Sequence, residues 1–382
     1  MARRHPRLVV ACDKFKGSLT AAEVADGIAR GVRRVAPDAE IAVVPVADGG
    51  DGTLDAALSA GFTRVAVTVP GPTGEPVDTA YALRDGVAVV EMADACGLLR
   101  LPGGELAPMT ASSRGLGVAL AAALADGARE IVLGVGGSAS TDGGAGMLAA
   151  LGARFLDAAG EDLPDGGGAL AALATVDLSG LSTGWADVSV VLATDVQNPL
   201  LGPQGAPRIF APQKGASEAQ LAELEDSLTH YARLVTEAAG VDARGLPGAG
   251  AAGGVGFAAL GVLGATMRPG VEIVLGWSGF DTLVADADLV VTGEGSLDRQ
   301  TLLGKTPAGV AAAAQRAGVP VVAVCGRSLL TPDELTGTGI QRVYALTDIE
   351  PDPAISMRDA GRLITDLAAA VAKDWLLGPS NP

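Results

Sequence analysis

Aromatic side chains make up only 3% of the 382 residues, histidine occurs twice and cysteine three times. So few rings leave no stacking platform for nucleobases. The two histidines, His5 near the N-terminus and His230 in a helical pattern, cannot furnish a histidine-based triad or a zinc site. Acid–base chemistry therefore falls to Asp, Glu or Lys. Cys12, Cys96 and Cys325 share no metal-like or redox-like spacing, and each lies in an apolar stretch that suits a small buried thiol in a reducing compartment. Positive charge is scarce: 27 Lys and Arg against 44 Asp and Glu give a formal net charge of −17. Such a surface repels nucleic acid and anionic membranes. No apolar run reaches the roughly 18 residues of a membrane span. The apolar run 8–12 behind the basic start 1–7 is too short for a signal-peptide core. The sequence thus predicts a soluble, cytoplasmic protein whose partners are small molecules, either a monomer or a homodimer.

What is abundant is glycine, 54 residues, in a chain that is 48% apolar and long enough for two domains with separate cores. Short β-branched runs alternate with helical stretches, the rhythm of βαβ units and a mainly parallel sheet. A strand over 8–12 precedes a helix from Thr20 to about Val35, started by the capping pair Thr20 and Glu23 and stopped by Pro37. A second strand spans 41–46. Residues 63–91 break the rhythm with strands at 65–69, 77–83 and 87–91 joined by tight turns, an antiparallel meander. Strands at 131–135 and 188–193 precede helices at 143–151 and 218–240. Strands at 289–292, 319–324 and 343–346 close the chain, with helices starting near Pro307 and Met357. The expectation is an α/β protein of two domains. One is discontinuous, 1–63 with 287–382, carrying a mainly parallel flavodoxin- or Rossmann-like sheet. The other, 64–286, is inserted and carries a mixed sheet, and the active site occupies the interdomain cleft.

Five glycine-, hydroxyl- or acid-bearing loops follow strands, where ligands of open α/β sheets bind. The first holds Asp13, Lys14, Lys16 and Ser18 before a helix N-terminus that favours an anion. The second holds Asp48, Gly49, Gly50, Asp51 and Gly52, with glycines that allow a close phosphate approach and acids that suit magnesium. In the third, 134–144, Gly136, Gly137, Ser138, Ser140 and Thr141 offer small hydrogen-bond donors. Five glycines and three hydroxyls exceed what an ordinary turn needs. The fourth presents Asp195 and Asn198 and continues to Lys214, a candidate for neutralising a transferring phosphoryl group; Asp195 and Asn198 serve equally well as a turn and cap. The fifth, 292–298, carries Glu294 and leads to Gly304, Lys305 and Thr306. These three mimic the end of a P-loop, yet Arg299 stands where its first glycine belongs, and no dinucleotide fingerprint occurs. Arg268 and Arg327 are candidates for carboxylate binding, although surface ion pairing is the commoner role of such residues.

Taken together, these stretches resemble the glycerate kinase family that is unrelated to P-loop kinases, along nearly the whole chain. The match is carried by Asp13 with 15–19, 45–50 with Gly52 and Thr53, 136–139 with 142–144, Asp195 with 198–200, 212–215, and 292–295 leading to 304–307. The resemblance implies phosphorylation of D-glycerate by ATP with Mg2+, usually to 2-phosphoglycerate; 3-phosphoglycerate, a related hydroxy acid, or a non-catalytic metabolite-binding regulator are the alternatives. Lys14, Asp51, Thr141, Gln197 and Ser296 depart from the family pattern, and Ser296 removes an arginine. Asp195, Asp48 and Lys16 are the expected catalytic residues, and Lys16, Ser18, Asp48 and Asn198 the glycerate contacts. Gly49, Gly50, Gly136, Gly137, Ser138, Lys214, Gly304, Lys305 and Thr306 are the expected ATP contacts. Asp195 and Glu294 are the expected magnesium ligands, with the division between base and metal ligand left open.

Overall fold

In a computed structural model the structure describes residues 5–181, 183–299 and 301–377. Among these, thirteen strands follow in chain order: β1 (Arg7–Cys12), β2 (Glu40–Val43), β3 (Thr63–Pro70), β4 (Pro76–Arg84), β5 (Val87–Glu91), β6 (Glu130–Gly134), β7 (Arg154–Leu156), β8 (Thr175–Asp177), β9 (Ser189–Ala193), β10 (Thr266–Arg268), β11 (Leu289–Leu297), β12 (Val321–Ser328) and β13 (Ile340–Ala345). They belong to two compact units, Met1–Asp48 with Val271–Pro382, and Gly49–Gly270.

The discontinuous unit is built on a sheet of order β13-β12-β11-β1-β2 in which every neighbouring pair is parallel. Alternation along the strands covers both faces. Leu8, Val10, Leu289 and Val291 enter one core with Val24, Ile28 and Val32 of the helix Ala21–Val35 and Leu363, Leu367 and Val371 of Ala360–Trp375. Val9, Ala11, Val290 and Ala323 enter another, with Val310 of the helix Thr306–Arg316 and with Val271, Leu275, Phe280 and Val284. Each fully buried aliphatic side chain contributes about 1.5–3 kcal/mol, so the two-sided burial of the strands dominates the stability of this unit. The Ala21–Val35 helix starts as its sequence dictates: Thr20 Oγ1 accepts from Glu23 N while the Glu23 carboxylate accepts from Thr20 N.

The inserted unit carries a mixed sheet of order β10-β9-β6-β5-β4-β3. The β3–β4–β5 meander is antiparallel, and β5, β6, β9 and β10 run parallel to one another. The chain is thus α/β, with a parallel sheet in one unit and a mixed sheet in the other.

Four details differ from the sequence reading. The crossings between units fall at 48/49 and 270/271 instead of 63/64 and 286/287. The helix Thr53–Ser59 packs on β4 and β5, and residues 271–284 fill the core of the discontinuous unit. The stretch 292–297, read as a loop, is strand: β11 stays in register with β12 as far as Leu297 opposite Ser328. β2 ends at Val43, three residues short of the expected end. Finally, the helix placed at Met357 is two segments, Pro353–Arg358 and Ala360–Trp375. The first is begun by Asp352, whose carboxylate accepts from Ala354 N and Ile355 N. Among the described residues no helix is long and apolar enough to cross a membrane.

Candidate active site

In the discontinuous unit the strand order reverses between β1 and β11, because the chain moves outward from β1 to β2 on one side and from β11 to β12 and β13 on the other. Ligands of open parallel sheets bind beyond the carboxyl ends of the strands at such a switch point. Asp13 follows β1 there, and its amide donates to Gly293 O at 2.8 Å. The next turn is pinned by Phe15, which is buried and exchanges backbone bonds with Leu19. Ser18 Oγ donates to Phe15 O at 3.2 Å, and Lys16 is exposed at the turn.

The neighbouring strand β11 carries Glu294, whose Oε1 accepts from the Thr301 hydroxyl. Thr301 is held in turn by Asp298, through Asp298 N to Thr301 Oγ1 at 3.0 Å and Thr301 N to Asp298 Oδ1 at 3.3 Å. Burial pushes the Glu294 carboxyl up to about 7, and the negative charges of Asp13 and Asp298 add to this, while the Thr301 bond and the Lys305 charge oppose it. Lys305 is the cap residue of the helix Thr306–Arg316, with a proline in the first turn, so its backbone stands at the positive end of that helix. Thr306 Oγ1 lies 3.5 Å from Asp13 Oδ2. Lys16, Ser18, Glu294, Gly304, Lys305 and Thr306 therefore gather at one end of one sheet. Asp48 is the last residue of this unit.

In the inserted unit three chain segments meet at the carboxyl ends of β6 and β9, and glycine makes the meeting possible. A Cβ on Gly49, whose φ is +88°, would lie 2.2 Å from Ala193 O, and one on Gly136 would lie 2.4 Å from Gly50 Cα. Gly136 N donates to Gly49 O at 3.2 Å. The loop that carries Gly49 and Gly50 is further held by Glu91, which sequence reasoning left unassigned. Its Oε2 accepts from Gly52 N at 3.2 Å and Leu54 N at 2.8 Å. Burial raises this carboxyl to about 7 against the pull of those two bonds, with Asp51 and Asp94 adding to the rise. The available signal was its position: Glu91 ends an apolar strand at the carboxyl edge, where the chemistry of such sheets gathers.

Lys214 is 1% exposed. Sequence reading places it in contact with phosphate; in the structure its ammonium donates to Ser138 Oγ at 2.8 Å and to Ser140 O of the 136–140 loop. Burial lowers it from 10.5 to about 7, partly offset by Asp142. Asp142, fully buried, accepts from Ser113 N at 2.8 Å, Ser113 Oγ at 2.7 Å, Gly144 N and Gly146 N. Gly137 is exposed at the tip of this loop, Asp195 is half-buried beyond β9, and the Asn198 amide donates to Gln204 O at 2.8 Å, the turn-forming role.

Among the described residues no three His, Cys, Asp or Glu side chains converge into a ready-made cation cage. Magnesium bound with a nucleotide takes only one or two carboxylates, the remaining positions being water and phosphate. Glu294 fits that demand, as a hard oxygen donor whose ionised form is disfavoured by burial and by two acidic neighbours and would be relieved by a cation.

Against known proteins, a profile described as the glycerate kinase family matches residues 8–376. A glycerate kinase of Bacillus subtilis (strain 168) is 43% identical over 371 residues, 96% of either chain. The chain belongs to the glycerate kinase family. A glycerate 2-kinase of Escherichia coli (strain K12) is 46% identical over 324 residues, 84% of this chain and 85% of that one. A crystal structure assigned to glycerate kinase 2 of Salmonella typhimurium LT2 superposes with a TM-score of 0.82 at 40% identity, over 98% of this chain and 99% of that one. As a glycerate kinase family member this protein is a kinase, and its substrates belong among small molecules.

Proposed function

We propose that this kinase transfers the γ-phosphate of ATP, taken up with Mg2+, to the 2-hydroxyl of D-glycerate, giving 2-phosphoglycerate and ADP in the cytoplasm. The observation that carries the reading is the set Asp13, Glu294, Thr301, Lys305 and Thr306 at the β1/β11 switch point. It joins carboxylates able to take a cation with a lysine and a helix N-terminus able to take phosphate. The relative named glycerate 2-kinase supports the choice of hydroxyl.

Each residue acts through position and charge, as phosphoryl transfer requires. Lys16 neutralises the glycerate carboxylate. Ser18, whose proton goes to Phe15 O, fixes the turn that presents Lys16. In the discontinuous unit Gly304, Lys305 and Thr306 are the phosphate contacts we assign, and in the inserted unit Gly49, Gly50, Gly137 and Ser138. Lys214 and Gly136 set the Ser138 loop from behind. Asp48 orients the acceptor hydroxyl and takes its proton. Glu294 would hold magnesium, which when bound neutralises charge building on the phosphate oxygens, and Asp195 is the candidate magnesium ligand of the inserted unit.

The test is ADP release by the purified protein with D-glycerate, L-glycerate and hydroxypyruvate as acceptors, with the product assigned by phosphorus NMR. D-glycerate-dependent ADP and 2-phosphoglycerate are expected. No ADP with D-glycerate overturns the assignment, and a 3-phosphoglycerate product overturns the choice of hydroxyl.

A further inference from the structure

Arg327 lies at the carboxyl end of β12, in register with Ser296 of β11, and its Nε donates to Ser296 Oγ at 3.1 Å. It is exposed and makes no ion pair among the described residues. Arg299, Arg342, Arg358 and Arg362 of the same unit hold carboxylates, whereas Arg327 shares its lack of one among the described residues with Arg30, Arg33 and Arg316. The Ser296 bond fixes the plane of the guanidinium by one edge and leaves its two amino groups available, the half of the fork that grips oxyanions bidentately.

The surroundings indicate what those amino groups meet. Ser296 is two residues along β11 from Glu294, and Gly295 between them packs against the Lys16 turn: a Cβ on Gly295 would lie 3.2 Å from Lys16 N. Lys16 is likewise exposed and makes no ion pair among the described residues. Arg327 thus stands on the face of β11 that carries Glu294 and Ser296, and the Lys16 turn packs on the face of Gly295, both at the end of the sheet where the reaction is assigned.

We propose that Arg327 contacts an oxyanion of the bound substrates from the face of the sheet that carries Glu294, gripping either a nucleotide phosphate or the glycerate carboxylate. The assignment rests on the kinase reading above and deepens it by adding a residue that the sequence left as a candidate surface charge.

Steady-state kinetics of Arg327→Ser and Arg327→Lys, varying ATP and D-glycerate separately, test it. Arg327→Ser is expected to raise KM for one of the two ligands by roughly 10-fold or more, the loss that follows removal of a charged hydrogen bond. It is expected to keep the wild-type Tm, and kcat is expected to move less than KM. A raised KM for ATP identifies the phosphate as the anion, and a raised KM for D-glycerate identifies the carboxylate. Arg327→Lys, which keeps charge without the fork, is expected to fall between. If Arg327→Ser leaves both KM values within twofold, or lowers kcat alone, the assignment is overturned. Should the wild-type protein release no ADP with D-glycerate, the glycerate reading fails separately. Calorimetric titration of ATP and of D-glycerate into wild type and Arg327→Ser then decides Arg327, equal affinities counting against it.

Discussion

Lys214→Met separates the stability of a buried charge from its use. The drop from 10.5 to about 7 amounts, at about 1.36 kcal/mol per pH unit, to about 5 kcal/mol opposing the charged ammonium in its buried place. Removing it relieves that cost but forfeits hydrogen bonds to Ser138 Oγ and Ser140 O, about 1.5–3 kcal/mol each. The variant should therefore lie within about 2 kcal/mol of wild type at pH 7. The pH dependence should differ. Unfolded Lys214 keeps its proton to about 10.5, whereas the folded one loses it above about 7. Between those values the unfolded chain binds more protons, so stability rises with pH; below about pH 7 the contribution is flat. From pH 7 to 9 this one group should add about 2 kcal/mol to the wild type. Urea unfolding at pH 7, 8 and 9 should show the extra rise in wild type and not in Lys214→Met. Turnover in the variant should fall by about 10²-fold, as expected when a loop that positions substrate loses its brace. Parallel stability–pH profiles for the two proteins would refute the reasoning.

Two other substitutions address the acids. Glu294→Gln should raise the magnesium concentration needed for half-maximal ADP release by about 10-fold or more, since a carboxylate shared by one or two positions is replaced by a neutral amide; an unchanged magnesium titration removes Glu294 from that role. Glu91→Ala should cost about 2–4 kcal/mol at pH 8, read by urea unfolding, because it strands the amides of Gly52 and Leu54. Glu91→Gln keeps an acceptor and should cost less. Because its folded carboxyl is raised to about 7 from 4.5, the folded chain binds more protons in that interval, and wild-type stability from Glu91 falls as pH rises from 4.5 to about 7. Glu91→Gln should remove that fall.

The local signals were legible where one short segment carries the whole cause. Thr20 with Glu23 announces a helix start and Pro37 its end, because capping and helix breaking act within a few residues. The meander over 63–91 was legible from turns and alternation for the same reason. The unit crossings were not, because they depend on which core accepts the helix Thr53–Ser59 and residues 271–284, a choice made by distant partners. Nor was the burial of Lys214, since a lysine beside a proline and glycine reads as solvent-facing until Ser138 and Ser140 are brought to it. Glu294 was found as a candidate but placed on a loop. The glycines around it suggested a turn, while strand pairing with β12 fixes the backbone as extended.

The glycine-rich loop over 134–144 owes its composition less to phosphate than to its own packing. Gly136 N is spent on Gly49 O, Gly144 N and Gly146 N are spent on Asp142, and Ser140 and Thr141 are fully buried. The part left to meet a phosphate is the tip, Gly137 and Ser138. There Ser138 Oγ accepts from Lys214, so its own proton is free to be donated elsewhere. If that is the route by which Lys214 matters, Ser138 and Lys214 act as one unit. Ser138→Ala and Lys214→Met should each weaken ATP binding, and the double variant should be no worse than the more damaged single one. The coupling energy between them should be at least about 1 kcal/mol in a double-mutant cycle on kcat/KM for ATP. Additive losses would mean that Lys214 reaches the nucleotide by some path other than Ser138, and the loop would then have to open far enough to bare an ammonium that is now 1% exposed.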